Sequence, residues 1–204
     1  MNEDEAQQKI RERFGTVLFE RTREFLDMVI AENQHQNLIA SSTIPQIWAR
    51  HAFDSLQLVA MAGDRKGLWI DIGSGGGFPG VPVALAWDGP VLLVEPRRRR
   101  ADFLAKAIDH LALGAQASVL CGRIQTVQDK AAILSARAVA GIEPLLDMAQ
   151  HCGGPEARWL LPRGHIGDGE IAALRRRWSF MFHVEHSGLD PASLIAVLDG
   201  VKLR

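Results

Sequence analysis

From Leu68 onward, short apolar runs alternate with longer segments of helical periodicity. The runs are Leu68–Ile72, Val91–Glu95, Ala117–Cys121, Ala132–Ala136 and Arg158–Leu161. Such alternation builds βαβ units, and βαβ units build a parallel sheet covered by helices. Two further strands are expected at Ser179–Glu185 and Ser193–Leu198, and this last pair need not be parallel. The expected fold class is therefore α/β, with a Rossmann-like core of seven strands over residues 63–204. Residues 1–62 read as a helical extension packed on that core as one compact unit. Phe14, Val17, Leu18, Phe25, Leu26, Val29 and Ile30 recur at helical spacing up to about residue 34. Residues 37–45 read as a loop and 45–62 as a second helix.

The first strand runs straight into a glycine-rich turn, Leu68-Trp-Ile-Asp-Ile-Gly-Ser-Gly-Gly-Gly-Phe-Pro-Gly80. In an open parallel sheet, ligands bind beyond the carboxyl ends of the strands. Glycines there let a ligand approach the backbone, so Gly73, Gly75 and Gly77 are candidate binding positions. Pro79 suits the first turn of the following helix, whose free N–H groups would receive a ligand carboxylate. Gly75, Gly77 and Gly80 also satisfy the dinucleotide pattern G-x-G-x-x-G, which keeps a nicotinamide- or flavin-dependent oxidoreductase in view. Asp71 weighs against it. A strand-end carboxylate facing the ligand suits an ammonium and a sulfonium better than a pyrophosphate, which points to S-adenosylmethionine. Glu95 ends the second strand, where it would accept hydrogen bonds from both ribose hydroxyls.

Several absences narrow the chemistry. The chain has no tyrosine, so the Tyr-x-x-x-Lys proton donor of short-chain dehydrogenases is missing. Neither Cys121 nor Cys152 follows a proline, which removes the Pro-Cys nucleophile of RNA cytosine-C5 methyltransferases. The two cysteines read as small buried hydrophobes, and no ligand spacing for a metal appears. There is no Asn-Pro-Pro or Asp-Pro-Pro motif of the kind many exocyclic-amine methyltransferases use. The charged N-terminus and the lack of a long apolar run point to the cytoplasm, away from secretion and membranes. A net charge of −1 argues against a generally basic nucleic-acid binder but allows a local basic face.

The ordered set of short motifs resembles the bacterial 16S ribosomal RNA guanine-N7 methyltransferases, the glucose-inhibited division protein B family. It runs from about residue 14 to the C-terminus through Asn37-Leu-Ile-Ala, Arg50-His-Ala-Phe-Asp-Ser-Leu56, Asp71 to Gly80, Gly122-Arg-Ile and Ser135-Ala-Arg-Ala138. The resemblance implies methyl transfer from S-adenosylmethionine to N7 of a guanine in 16S ribosomal RNA; a small-subunit particle is the expected partner, with naked RNA the open alternative, and a monomer is the expected state. It implies that Gly73 and Phe78 contact the cofactor, that Ile124 and Gln125 flank its adenine, and that Arg137 completes the pocket. Two departures stand out. Gln125 takes the place of the family's usual Glu and keeps an acceptor while losing a charge. Arg163-Gly164 replaces a frequent Lys-Gly and keeps the positive charge. A noncatalytic ribosome-assembly factor retaining the cofactor fold is the other alternative.

Remaining residues have two readings each. Arg97-Arg-Arg-Arg100 is either a solvated helix face or a phosphate contact, with Arg97 and Arg98 as the RNA candidates beside Arg163. Arg123 and Arg137 follow the third and fourth strands, at the ligand edge, and are the candidates for positioning in catalysis. Arg137, as a strand-end side chain, is expected to carry little core packing. His51 and Asp54 stand one helical turn apart, as a capping or packing pair or as part of a helix that shapes the site.

Overall fold

The computed structural model describes residues 1–137, 140–164, 166–188 and 193–204. Seven strands form one sheet in the order β3-β2-β1-β4-β5-β7-β6. They are β1 Trp69–Ile72, β2 Val91–Glu95, β3 Ala117–Cys121, β4 Ala131–Ala136, β5 Gly153–Arg163, β6 Trp178–His186 and β7 Leu194–Leu203. The first five are parallel, whereas β7 runs antiparallel to both β5 and β6. The chain steps outward from β1 through β2 to β3, then returns to lay β4 on the other side of β1. Strand order therefore reverses between β1 and β4, and a crevice opens beyond their carboxyl ends. The last three strands are longer than their apolar runs suggested, because β5 and β7 pair with each other over Arg158–Arg163 and Leu194–Asp199.

Alternate residues of each strand feed opposite faces. Trp69, Leu93, Ile133 and Leu160 pack with helices α1 (Glu3–Glu32), α2 (Asp54–Met61), α3 (Gly80–Ala86) and α4 (Arg98–His110). Ile70, Ile72, Val94, Leu134 and Trp159 pack on the other side with α5 (Ile142–Ala149) and α6 (Asp168–Leu174). Asn2 caps α1 and forms a capping box with Glu5. The helix kinks at Gly15, whose φ is +81°.

The segment 45–62 is not a single α-helix. It is a 3-10 turn over Ser41–Gln46, a π-helical turn over Trp48–Phe53, and then α2. Glu3 caps the π turn from α1, accepting the N–H groups of Trp48 at 3.1 Å and Ala49 at 2.8 Å. Isolated π turns occur often at functional sites, because they rotate side chains out of helical register. Cys152 is buried as expected, but Cys121, at the end of the edge strand β3, is exposed.

No helix among the described residues is long and apolar enough to cross a membrane.

Candidate active site

The glycine loop after β1 is fastened from four sides. Gly73 and Ser74 donate their N–H groups to Val94 O of β2. Gly75 donates to the Glu95 carboxylate at 2.8 Å. A side chain on Gly76 would meet Leu38 O at 3.0 Å, so the Asn37-Leu-Ile-Ala motif is the strap that lies across the loop. Asn33 Oδ1 holds that strap by accepting from Leu38 and Ile39, and Arg100 donates to Asn37 O. A side chain on Gly77 would strike Phe25 Cζ at 2.7 Å, and one on Gly80 would strike Leu93 Cδ2 at 2.0 Å. Packing within the protein therefore requires glycine at 77 and 80. Gly75 differs. Its φ is +56°, but its Cβ direction is nearly open, with Gly73 O at 3.6 Å. It leaves bare backbone beyond the carboxyl end of the central strand β1, the cradle that a closely approaching ligand needs.

Glu95 is buried and organises the same edge. Its carboxylate accepts from Gly75 N–H and from Arg97 N–H, both at 2.8 Å, and each oxygen keeps a second lone pair for a hydroxyl. Its carbonyl accepts from Gly122, which brings the turn Ile124–Thr126 alongside. There Ile124 is buried as an apolar wall and Gln125 is exposed. Bare glycine backbone, a ribose-type carboxylate and an apolar wall with an amide beside it together fit an adenosyl group.

Asp71 lies elsewhere than expected. The reading from sequence turned its carboxylate to the ligand. In β1 it shares a face with Trp69 and is fully buried beneath α3. Ser135, its partner in β4, donates to Oδ1 at 2.7 Å, and Trp69 Nε1 donates to Ser135 Oγ at 2.9 Å. Gly80 N–H donates to Oδ2 at 3.2 Å. The start of α3 is consequently closed to a ligand carboxylate. Gly80 N–H is taken by Asp71, Val81 N–H by Gly77 O, and Pro82 has none. Pro79 is the N-cap and not the first helical residue.

Burial pushes Asp71 up to about 6, against hydrogen bonds that favour its charged form. A carboxyl raised from 3.8 in the folded state adds stability that is complete below about pH 4 and is lost as pH rises through about 6. The stability of Asp71→Asn relative to wild type should therefore improve by about 3 kcal/mol between pH 4 and pH 7. Urea denaturation across that range measures it, and a constant gap would show that Asp71 titrates normally.

Across Phe78 from the loop lies a cavity of about 440 Å³. Thr43, Arg50, His51, Asp54, Arg137, Pro162, Arg163, Gly164, Ser193 and Leu194 line it, so its walls come from the π turn and from the ends of β4, β5 and β7. Arg137 is its centre. Nη1 donates to Arg50 O at 3.1 Å, Nη2 donates to His51 Nδ1 at 2.9 Å, and the guanidinium lies 5.4 Å from the Phe78 ring centre. The expectation that Arg137 carries little packing is corrected by these contacts: only about a fifth of its side chain is exposed. Phe78 also packs on Phe25 and His51, which ties the glycine loop to the cavity wall.

A guanidinium only donates, so His51 Nδ1 must accept and Nε2 must carry the proton. Nε2 then donates to Thr43 Oγ1 at 2.8 Å, and that hydroxyl donates to Ala40 O at 2.7 Å. Burial, with Arg137 and Arg50 nearby, lowers His51 to about 3, so it is neutral at working pH and has no free lone pair. Asp54 is pushed upward by burial, partly offset by Arg137 and by hydrogen bonds from Ser187 and Gln57. Among the described residues the cavity thus holds three arginines and one carboxylate.

The other candidates scatter. Arg123 is exposed at the turn after β3, where it caps the Ile124–Thr126 turn, and it is not among the residues lining the cavity. Arg163 lines the cavity, bonded to Ala140 O at 2.6 Å and Glu170 at 3.2 Å. Arg98 pairs with Asp102 in an exposed bridge worth little energetically. Arg99 and Arg100 dock on His35 O and Asn37 O, so half of the arginine run is structural. Arg97 caps α4 with its side chain exposed. Sequence reasoning missed Thr43, Arg50, Pro162, Ser193 and Leu194 as cavity walls. For Arg50 a signal existed, in the polar Arg-His-x-x-Asp spacing within an otherwise apolar segment.

The sequence profile of the GidB family, rRNA small subunit methyltransferase G, matches residues 19–189. The chain belongs to this family. Ribosomal RNA small subunit methyltransferase G of Sphingopyxis alaskensis is 48% identical over 178 residues, 86% of this chain and 76% of that protein. The protein of the same name from Rhizorhabdus wittichii is 37% identical over 207 residues, covering 100% of this chain and 95% of its own. Among solved structures, a methyltransferase from Geobacter sulfurreducens superposes with a TM-score of 0.62 at 14% identity, covering 86% of this chain and 88% of its own. Magnesium protoporphyrin IX methyltransferase from Synechocystis PCC 6803 with bound SAM gives 0.58 at 17%, over 95% and 97%. Those two likenesses concern the fold, which is the Rossmann-like methyltransferase fold expected from the strand pattern. Membership of the family makes the chain an S-adenosylmethionine-dependent rRNA methyltransferase and removes the oxidoreductase reading. Among the described residues no group of three or more histidine, cysteine, aspartate or glutamate side chains is arranged to hold a metal.

Proposed function

We propose that the chain methylates N7 of one guanine in 16S ribosomal RNA, acting in the cytoplasm as a monomer on a small-subunit particle. The cofactor lies along Gly73, Gly75, Gly77, Glu95 and the Ile124–Gln125 turn, with Arg123 at its rim, and the target base enters the cavity around Arg137. Asp71 acts through the loop it anchors, and Phe78 joins the two halves of the site.

The observation that carries this reading is the state of His51. Among the described residues it is the one histidine lining the cavity, and its two nitrogens are engaged by Arg137 and Thr43, so it has no capacity to take a proton. Guanine N7 suits such a site, because it offers an available lone pair and sheds no proton. Bound S-adenosylmethionine supplies a methyl group carried on a sulfonium. The protein's part is positioning, which alone is worth about 7–11 kcal/mol of a barrier. Arg137, fixed by Arg50 O, His51 and Phe78, is preorganised to hold the base or its phosphate. Arg163 faces the same cavity, and extruding a stacked base into it costs a few kcal/mol.

Labelled S-adenosylmethionine incubated with small subunits lacking the modification should put label into 16S ribosomal RNA. Label in naked 16S RNA but not in subunits would contradict a particle as substrate.

Arg97 and Arg98 lie outside the cavity at the start of α4 and serve as phosphate contacts. Arg97→Ala should weaken RNA binding, lower its salt slope by about one unit, and leave cofactor affinity unchanged. An unaltered slope in binding titrations over a salt series would make Arg97 a merely solvated side chain.

A further inference from the structure

We propose that Asp54 reads the target guanine through its Watson–Crick edge, an inference that rests on the N7 reading above. An arginine fork on O6 and N7 is the commonest way a protein recognises guanine. A base whose N7 is to be methylated is denied that contact. What remains distinctive is the opposite edge, where N1–H and the N2 amine are both donors. The reader must therefore be an acceptor.

The cavity offers few. Its arginines only donate. Both nitrogens of His51 are engaged, and Thr43 Oγ1 is held between His51 and Ala40. Among the described residues Asp54 is the one carboxylate lining the cavity. Its Oδ1 is doubly occupied, accepting from Gln57 Nε2 at 2.7 Å and Ser187 Oγ at 3.0 Å. Gln57 is itself fixed, donating to Ser187 Oγ at 3.1 Å and accepting Gly188 N–H at 3.1 Å. Oδ2 is different. Its nearest cation, Arg137 Nη1, stands at 3.9 Å, beyond hydrogen-bond length. The carboxylate is thus clamped through one oxygen while the other keeps two lone pairs, enough for N1–H and one N2–H together. Adenine presents an acceptor at N1, so the same oxygen repels it. Asp54 thereby selects guanine while leaving N7 bare.

The test crosses the protein with the base. Small subunits are reconstituted on 16S RNA carrying guanine or inosine at the methylated position; inosine keeps N1–H and N7 but lacks the N2 amine. For wild type, inosine should lower kcat/KM about 10-fold, since a hydrogen bond to a charged group is lost. Asp54→Asn keeps its carbonyl toward Gln57 and Ser187, which turns its NH₂ to the base as a donor facing donors. It should lose about 100-fold on guanine with unchanged S-adenosylmethionine affinity, and inosine should cost it little more. Asp54→Ala should likewise be insensitive to inosine. If inosine costs wild type and both variants the same factor, Asp54 does not read the base and the proposal is overturned. If wild type methylates no guanine in unsubstituted subunits, the functional reading falls first and the proposal with it.

Discussion

Gly75→Val should lose S-adenosylmethionine affinity by at least about 100-fold while the chain still folds. Calorimetry gives the affinity and thermal unfolding gives the fold. Two separate effects act on the ligand side. A β-branched residue at φ +56° is held in the left-handed region at a cost of about 1–3 kcal/mol, which loosens the turn and with it the Gly75 N–H bond to Glu95. The new side chain then stands on bare backbone at the ligand edge. Nothing else in the protein objects, because the Cβ direction meets only Gly73 O at 3.6 Å and Arg100 Nη1 at 3.8 Å. Gly80→Val is the control in the opposite sense. Its Cβ would lie 2.0 Å from Leu93 Cδ2, so it should fail to fold. A Gly75→Val protein that binds S-adenosylmethionine within twofold of wild type would move the cofactor off this loop.

Arg137→Ala should reduce single-turnover methyl transfer by at least about 100-fold at saturating cofactor, the size expected when a preorganised donor is removed from a reacting site. It should also cost about 1–3 kcal/mol of stability, because buried His51 loses the donor to its Nδ1 and the Arg50 carbonyl loses its partner. Arg137→Lys should rescue neither. The guanidinium reaches Arg50 O and His51 Nδ1 at once from two nitrogens and lies against Phe78, and an ammonium on a flexible stem does not span that arrangement. Transfer at the wild-type rate by Arg137→Ala would remove the residue from the chemistry.

The sheet was legible in the sequence because fully buried parallel strands read as short apolar runs. The bounds of β2 and β3 come directly from them. The extensions of β5 and β7 were not legible, since they exist through pairing with each other. The glycine loop was visible, but the direction of Asp71 was not. In a strand buried on both faces, composition does not tell which face a carboxylate takes, and only the register with Ser135 decides it. The π turn was hidden for a similar reason: the apolar spacing of Trp48 to Phe53 also suits an α-helix, and the cap that holds the turn comes from Glu3. The cavity joins residues from position 43 to position 194, a juxtaposition that local pattern does not carry. Its legible marks were single residues: Arg137, found by its place after the fourth strand, Arg163 after the fifth, and the His51–Asp54 pair one helical turn apart. The last residue of that motif, Ala138, lies outside the described residues.

The atom that receives the methyl group tests the account most directly. Small subunits lacking the modification are incubated with the protein and S-adenosylmethionine, and their 16S RNA is then reduced with borohydride and cleaved with aniline, chemistry selective for 7-methylguanosine. A single new cleavage at one guanine, dependent on both protein and cofactor, is the predicted result. Label incorporated without cleavage, on N1 or N2 of a guanine, would contradict the account and make Asp54 a proton acceptor instead of a reader of the base. No incorporation at all would leave a cofactor fold without transfer activity.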